Sequence, residues 1–327
     1  MACAPLRFRP DGTFTIVQLT DLHWRDGDAD DLRTLRLVEE VLDAEAPDLV
    51  VLTGDVVSGD ECRDPAEGLR RVVAPIEARA LPWAFAFGNH DDEGPLTRLE
   101  MLDVLREHGG GLAERGPAEL PGAGHYVLRV GASRGDGLAA ALYVLDSGGA
   151  NALGIGDYDW FRPAQVAWYL EAARALAAER ASSSANGAGP IPALAFFHIP
   201  LPELDAVWET RPCLGSRNEP VCAPAVNGGL FAAFLAAGDV LGAFVGHDHL
   251  NDFEGELWGV RLCYGRAGGL GGYGRDDFAR GARVIRLREG ERAFETWIRL
   301  EGGALAARPT HEPESWASAP GGAGDEG

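Results

Sequence analysis

The chain has 327 residues, of which 46% are hydrophobic and 24% charged, as expected for a soluble protein with one or two globular domains. Its formal net charge of −21 excludes a sequence-independent nucleic-acid binder, because proteins of that class need a basic surface. Five scattered cysteines, no export signal and no apolar run of about 18 residues predict reduced thiols, no membrane partner and a cytoplasmic location.

The first two thirds of the chain alternate short apolar runs with amphipathic segments. The apolar runs predict buried strands over 14–21, 48–55, 82–89, 141–147, 193–198 and 241–248. A helix is predicted between the first two strands, with Asp30 as its N-cap and Pro47 after its end. Further helices are predicted over 65–79, 95–108, 163–181 and 228–237.

The last third of the chain is rich in strands. Antiparallel strands are predicted over 253–265, 283–289 and 292–300, with a hairpin turn at 289–292. Alternating strands and helices followed by antiparallel strands favour layered sheets over a single doubly wound sheet. Residues 307–327 are rich in Pro, Gly, Ala and acidic residues, which predicts a disordered C-terminal tail after one domain over 1–306.

Polar side chains of metal-binding type follow the ends of five predicted strands. They are Asp21 and His23, Asp55, Asn89 with His90 and Asp91, His198, and His247 with His249. Ligands of such sheets bind beyond the strand ends. We therefore expect five strands to deliver carboxylate, imidazole and amide groups to one edge.

Each of these fragments has an ordinary structural alternative. A Gly-Asp pair after a strand is usually a turn, and a single histidine in an apolar run, such as His198, is more often a core residue. The combination is more specific, since five of the eight histidines lie in these strand-end motifs. His247 and His249 alternate along a predicted strand, so both side chains are expected to face the same way.

The donor types favour a site for two metal ions. Oxygen and imidazole donors without thiolate suit Mn, Fe or Zn better than copper or an iron–sulfur cluster. The seven candidate ligands are Asp21, His23, Asp55, Asn89, His198, His247 and His249. Seven ligands are too many for one tetrahedral zinc and suit two adjacent ions that share a carboxylate. Such cations would also allow an anionic substrate to bind to an acidic protein.

The motifs D-x-H, GD, GNH, a single histidine after a strand and GHxH, in that order, resemble the calcineurin-like metallophosphoesterase superfamily over residues 14–300. The resemblance implies an α/β fold that is a four-layer αββα sandwich, with two mixed β-sheets flanked by helices and the metals at the sheet edges. It also implies that one metal is held by Asp21, His23 and His249 and the other by Asn89, His198 and His247, with Asp55 bridging.

Longer segments, among them GNHDDEGPLTR and PALAFFHIPLPE, are similar to the branch of fungal cell-cycle-regulating phosphatases and plant proteins named probable inactive purple acid phosphatases. True purple acid phosphatases have a tyrosine ligand where this chain has Ser58, and they lack the histidine that is here His23. We therefore expect no tyrosinate-to-iron colour. Inactivity does not follow, because the superfamily ligand set is complete.

The predicted reaction is hydrolysis of a phosphoester by in-line attack of a water activated by both metals. His90 is the expected general acid, and Asp91 either orients His90 or caps the helix that follows. The expected substrate is a phosphorylated small molecule or a phosphoprotein, which would make the protein a phosphomonoesterase. The alternatives are a phosphodiesterase acting on cyclic nucleotides or lipid-derived diesters and a non-catalytic metal-binding protein.

A glycine-rich loop over 148–160 also carries aromatic residues. Loops of this kind often determine specificity, so this one could cover the site. The alternative, which we favour from sequence, is that Trp160 and Phe161 anchor the helix that follows.

Overall fold

The computed structural model describes residues 5–182 and 189–314. The strands of this part of the chain are β1 (Thr13–Leu19), β2 (Leu49–Thr53), β3 (Trp83–Ala86), β4 (Tyr126–Gly131), β5 (Leu138–Val144), β6 (Ala193–Phe196), β7 (Cys213–Leu214), β8 (Val240–Val245), β9 (Glu254–Leu257), β10 (Val260–Tyr264), β11 (Gly281–Arg288), β12 (Phe294–Leu300) and β13 (Thr310–His311). The helices are α1 (Ala29–Glu45), α2 (Pro65–Glu77), α3 (Arg98–Arg106), α4 (Pro163–Ser182), α5 (Glu203–Thr210) and α6 (Leu230–Ala237). None of these helices is both long enough and apolar enough to cross a membrane.

The described strands form two mixed sheets. The first has the order β12-β11-β1-β2-β3, and the second has the order β13-β7-β9-β10-β8-β6-β5-β4. In the first sheet β1, β2 and β3 run parallel, and in the second β5, β6, β8 and β10 run parallel. The carboxyl ends of these parallel strands carry the segments in which the sequence placed its candidate site.

The two sheets pack face to face between two layers of helices. Helices α1 and α2 cover the first sheet, while α4 and α6 cover the second. Between the sheets, the stacked rings of Phe196 and Phe244 lie 5.1 Å apart, and Phe294 of the other sheet lies 5.4 Å from Phe244. The predicted four-layer αββα sandwich is therefore confirmed.

The predicted helices are present, with shifts at their ends. The N-cap of α1 is Asp28 rather than Asp30, because Asp28 and Asp31 form a reciprocal capping box. The helix ends with Ala46 in the left-handed region (φ 41°), directly before Pro47. Helix α5 was not predicted.

The strand-rich end differs from the prediction in two places. Residues 253–265 form a hairpin of β9 and β10 rather than one strand, and Trp258 and Gly259 turn with positive φ. The predicted tail from 307 begins too early, because β13 pairs with β7 and the His311 ring stacks on Trp208 at 3.8 Å. The remainder of the predicted tail, from residue 315, lies outside the described residues.

Candidate metal centre

The candidate residues lie just beyond the ends of five strands that meet at one edge of the sandwich. Asp21 follows β1, Asp55 follows β2 and Asn89 follows β3 in the first sheet. His198 follows β6 and His247 follows β8 in the second sheet. A hydrogen bond joins the segments of the two sheets here, since the main-chain N–H of His247 donates to the Asp21 carboxylate at 3.0 Å.

Four of the candidate ligands have a left-handed backbone. The φ angles are 53° at Asp21, 49° at His23, 49° at Asp55 and 80° at His247. Only three other non-glycine residues of the described chain have positive φ. Residues other than glycine adopt this region at a cost, and such strain clusters at functional sites.

The first donor group consists of Asp21, His23 and His249. The His23 and His249 Nε2 atoms are 3.1 Å apart, and His249 Nε2 is 3.5 Å from Asp21 Oδ1. Two donors at right angles, each about 2.1 Å from one ion, would be about 3 Å apart. The spacing of the first donor group therefore fits a shared cation.

The second donor group consists of Asp55, His198 and His247. His198 Nε2 lies 3.0 Å from Asp55 Oδ2 and 3.3 Å from His247 Nδ1. The sequence reasoning placed His247 and His249 on one strand facing the same way, and that reasoning was wrong. Strand β8 ends at Val245, and the two imidazoles enter different donor groups from the turn that follows.

Asp55 belongs to the second donor group and also lies close to the first. Its Oδ2 atom is 3.0 Å from His198 of the second group and 3.8 Å from His23 Nε2 of the first. Its Oδ1 atom accepts a hydrogen bond from the main-chain N–H of His90 at 2.8 Å, which fixes the carboxylate plane. The position is the one that a carboxylate shared by two ions would need.

Three of the four imidazoles are oriented by a contact at the ring nitrogen that faces away from the donor group. His198 Nδ1 lies 2.8 Å from the Thr53 carbonyl, and His249 Nδ1 lies 2.8 Å from the Tyr273 carbonyl. His23 Nδ1 lies 3.2 Å from Ser58 Oγ. A proton on Nδ1 leaves Nε2 unprotonated and aimed into the site, as in known metal-binding histidines.

The protonation of the cluster suits cation binding. Burial opposes ionisation of Asp21, but the hydrogen bond and charge of His249 lower its pKa to about 2. Burial lowers the pKa of His23 to about 4 and that of His247 to about 3, so both rings are neutral near pH 7. Burial also disfavours charge on His198, yet the Asp55 carboxylate raises its pKa to about 9. A cation that binds there would displace a proton.

Asn89 supplies a further indication of a missing partner. Its Oδ1 atom is buried and has no hydrogen-bond partner among the described residues. Buried polar oxygens are almost always paired, and an orphaned one calls for an ion or a water molecule. Asn89 fits the role that the resemblance implies for it.

His90 stands at the opening of the site beside the first donor group. Its ring lies 5.4 Å from the His23 ring, and its Nδ1 is 2.6 Å from Glu93 Oε2. Burial lowers the pKa of His90, but the charges of Asp55 and Glu93 outweigh burial and raise it. His90 therefore holds a proton more firmly than a free histidine does.

Asp91 has neither of the roles that the sequence suggested. Its fully buried carboxylate accepts four main-chain N–H groups, from Asp55, Val56, Val57 and Gly88, at 2.7–3.1 Å. The His90 ring is bound by Glu93 instead, and the N-cap of α3 is Thr97. Asp91 thus holds the segment after β2 against the segment after β3. The sequence shows only an acid next to His90, which cannot reveal main-chain partners 34–36 residues away.

The loop over 268–274 was missed by the sequence reasoning. An ideal Cβ on Gly272 would lie 2.5 Å from His249 Cε1 and 2.8 Å from His23 Cδ2, so only glycine fits beside these rings. The ring of Tyr273 stacks on His249 at 4.0 Å. The sequence of this loop, GGLGGYG, is typical of a flexible loop. Nothing in that sequence indicates that the loop packs against the two histidines.

The two donor groups open into a cleft of about 380 Å³. His90, Glu93, Tyr158 and Tyr273 are among its lining residues. Tyr158 comes from the loop over 148–160, so this loop reaches the site as well as anchoring a helix. The anchoring contact is Phe161, whose ring lies 5.3 Å from the ring of Phe197.

Comparison with known proteins gives a consistent result. A sequence model described as calcineurin-like phosphoesterase matches residues 14–251. A protein of Arabidopsis thaliana named "Probable inactive purple acid phosphatase 28" is 35% identical, over 92% of this chain and 84% of that protein. "Phosphatase DCR2" of Saccharomyces cerevisiae is 33% identical, over 89% of this chain and 54% of that protein.

The fold has also been seen in solved structures. The crystal structure of a dimetal phosphatase from Danio rerio superposes with a TM-score of 0.57 at 14% identity, covering 86% of this chain and 98% of that chain. At this identity the likeness supports the fold alone. The sandwich that presents the two donor groups is thus shared with a protein described as a dimetal phosphatase.

Proposed function

Because this chain belongs to the calcineurin-like phosphoesterase family and is a hydrolase of phosphoester bonds, we propose that it is a phosphomonoesterase using two divalent metals. The observation that carries the proposal is the meeting of two three-residue donor groups at Asp55, with the His90 imidazole at their opening. The oxygen and imidazole donors suit Mn, Fe or Zn.

The proposed ligands follow the two donor groups. Asp21, His23 and His249 hold one ion, His198, His247 and Asn89 hold the other, and Asp55 is shared. When bound, such ions lower the pKa of a water molecule and neutralise the phosphate oxygens. Asp91 keeps the Asp55 carboxylate in place, because it fixes the Asp55 main chain.

His90 is the proposed general acid. Its raised pKa favours the protonated ring, and Glu93 holds Nδ1. The remaining nitrogen, Nε2, can then donate its proton to the leaving oxygen of the ester. Glu93 takes the orienting role that was one of the two alternatives for Asp91. A phosphorylated small molecule or a phosphoprotein is the proposed substrate.

The proposal is tested with protein stripped by a chelator and reloaded with Mn, Fe or Zn. Elemental analysis counts the bound ions, and p-nitrophenyl phosphate and bis-p-nitrophenyl phosphate are assayed in parallel. We expect two ions and faster turnover of the monoester. Turnover of the diester alone would instead make the protein a phosphodiesterase, and two bound ions with no turnover would make it a metal-binding protein.

The role of His90 is tested by His90→Ala. General acid catalysis contributes roughly 100- to 10,000-fold, and we expect kcat to fall within this range while the metal content stays at two. His108→Ala is the matched control, because His108 contacts the edge of the Trp83 ring away from the donor groups. Undiminished activity of the His90 variant would show that the assignment is wrong.

A further inference from the structure

Tyr158 occupies the cleft without a part in the proposed reaction. Its ring meets the His247 imidazole edge-on, with ring centroids 4.5 Å apart and planes at 89°. His90 stands on the other side of the cleft, next to His23 of the first donor group. The metal centre thus lies between one histidine and one tyrosine.

The position of Tyr158 is set by a folded hairpin. Ala150 and Tyr158 form an antiparallel bridge, and the Asp159 N–H donates to the Gly149 carbonyl at 2.8 Å. At the tip, Asn151 Nδ2 donates to the Ile155 carbonyl at 2.6 Å. These hydrogen bonds within the hairpin fix its backbone. They therefore fix the position from which Tyr158 enters the cleft.

The base of the hairpin is tied to the segment that carries Asn89. Arg98 Nη2 donates to the Gly88 carbonyl at 2.8 Å and to the Gly148 carbonyl at 3.2 Å. An ideal Cβ on Gly149 would lie 3.7 Å from Asn89 Cα, so the two segments are in close contact. A shift of the hairpin would therefore also displace Asn89, a proposed metal ligand.

The Tyr158 hydroxyl is free to bind a ligand. The chain has six tyrosines, and in the described structure the other five place their hydroxyl groups in hydrogen bonds. Those five are Tyr126, Tyr143, Tyr169, Tyr264 and Tyr273. No described residue donates to or accepts from the Tyr158 hydroxyl. A phenol is both donor and acceptor, and a hydroxyl that lines a cleft without a partner is available to whatever fills it.

The cleft otherwise offers few hydrogen-bond donors for an anion. None of the described side chains that line it is an arginine, and the sequence contains no lysine. Its charged side chains are carboxylates and imidazoles. A phosphate oxygen that does not face the metal ions must therefore find its donors in neutral groups or in His90.

We propose that Tyr158 is a substrate-contacting residue whose hydroxyl donates a hydrogen bond to an oxygen of the bound phosphate, on the side of the second donor group. The inference rests on the proposed function, because it requires phosphate to bind over the two donor groups. It assigns the hairpin over 149–159 to the site as its specificity element. It would also give the cleft a neutral donor for phosphate where no arginine or lysine lines it.

Inorganic phosphate is the probe for the test. The full chain, loaded with metal, is titrated with phosphate by calorimetry, and the inhibition constant for phosphate is measured with p-nitrophenyl phosphate. Tyr158→Phe removes only the hydroxyl, and we expect phosphate binding to weaken about 10- to 100-fold, the range for a lost hydrogen bond to a charged group. The metal content should remain unchanged, because the ring beside His247 is kept.

Two variants complete the design. Tyr158→Ala should weaken phosphate binding at least as much as Tyr158→Phe. Leu153→Ala, at the tip of the same hairpin and 63% exposed, should bind phosphate like the wild type. Equal phosphate affinity of the wild type and both Tyr158 variants would overturn the inference, and so would a metal-loaded wild type that binds no phosphate. Phosphate binding that depends on Tyr158 in a protein without turnover would support the inference and contradict the proposed function.

Discussion

The two donor groups differ in the contacts that orient their histidines. His198 of the second group is fully buried after a core strand, and its Nδ1 is fixed by the main-chain carbonyl of Thr53. His23 of the first group is fixed by the side chain of Ser58. His249 depends on Tyr273, which is 54% exposed on a glycine-rich loop. His198 of the second group is therefore fixed within the core, whereas His249 of the first group is placed against a surface loop.

This difference predicts different kinds of failure. Damage to the support of the second group disturbs the core and lowers the free energy of unfolding. Damage to the support of the first group leaves the sandwich intact and weakens only metal binding. Three substitutions test this contrast, from the largest expected effect to the smallest.

Arg98→Met tests the support on the side of the second group. Arg98 pairs with the buried Asp146 and ties Gly88 to Gly148. Removing one partner of a buried ion pair leaves an uncompensated charge, and we expect the free energy of unfolding to fall by about 3–5 kcal/mol. Urea denaturation measures the change.

The control for this substitution is Arg33→Met. Arg33 pairs with Glu301 at 2.6 Å, but its side chain is 51% exposed. Exposed pairs contribute at most about 1 kcal/mol, so the control should unfold almost like the wild type. Equal losses of unfolding free energy in the two variants would show that the Arg98 ion pair stabilises the protein no more than an exposed ion pair does.

The sequence predicted the sandwich and the positions of the candidate site, for a physical reason. Strands with both faces buried are continuous apolar runs, and their ends are marked where polar residues such as Asp21 or Asp55 begin. Short elements escaped prediction because β7 and β13 have two residues each and form only by pairing with each other and with β9. No local period can show such pairing.

Contacts between residues distant in sequence were the second feature that the sequence could not predict. Asp91, Gly272 and Tyr158 each act on a segment distant in sequence, and the residue type alone fits a cap, a flexible loop or an anchor equally well. The placement of His247 and His249 in different donor groups is another feature that the sequence could not show. Their spacing was read correctly, but the left-handed turn at His247 sends the two rings to different donor groups.

Gly272→Ala tests the support of the first donor group. A methyl group at this position would lie 2.5 Å from His249 and 2.8 Å from His23, so both rings must move. Disturbing such supports typically weakens metal affinity 10- to 100-fold, and we expect one ion to be lost in dilute chelator while the other remains. Elemental analysis after dialysis counts the ions.

Gly131→Ala is the matched control for this substitution. An ideal Cβ at Gly131 meets no atom closer than 3.5 Å, which is ordinary contact. This variant should keep both ions. Loss of both ions from the Gly272 variant would mean that the two groups bind metal as one unit, and the contrast between them would fail.

Ser58→Ala should have the smallest effect. It removes the hydroxyl 3.2 Å from His23 Nδ1 and leaves the packing of the ring unchanged. We expect about a 10-fold loss of affinity for one ion, at the low end of the range for such partners, measured by titration against a chelator of known affinity. His198 of the second group has no equivalent side-chain contact, because no side-chain substitution removes the Thr53 carbonyl that holds it. An unchanged affinity would mean that packing alone orients His23. In that case, the side-chain contact of His23 and the main-chain contact of His198 would be equivalent for metal binding.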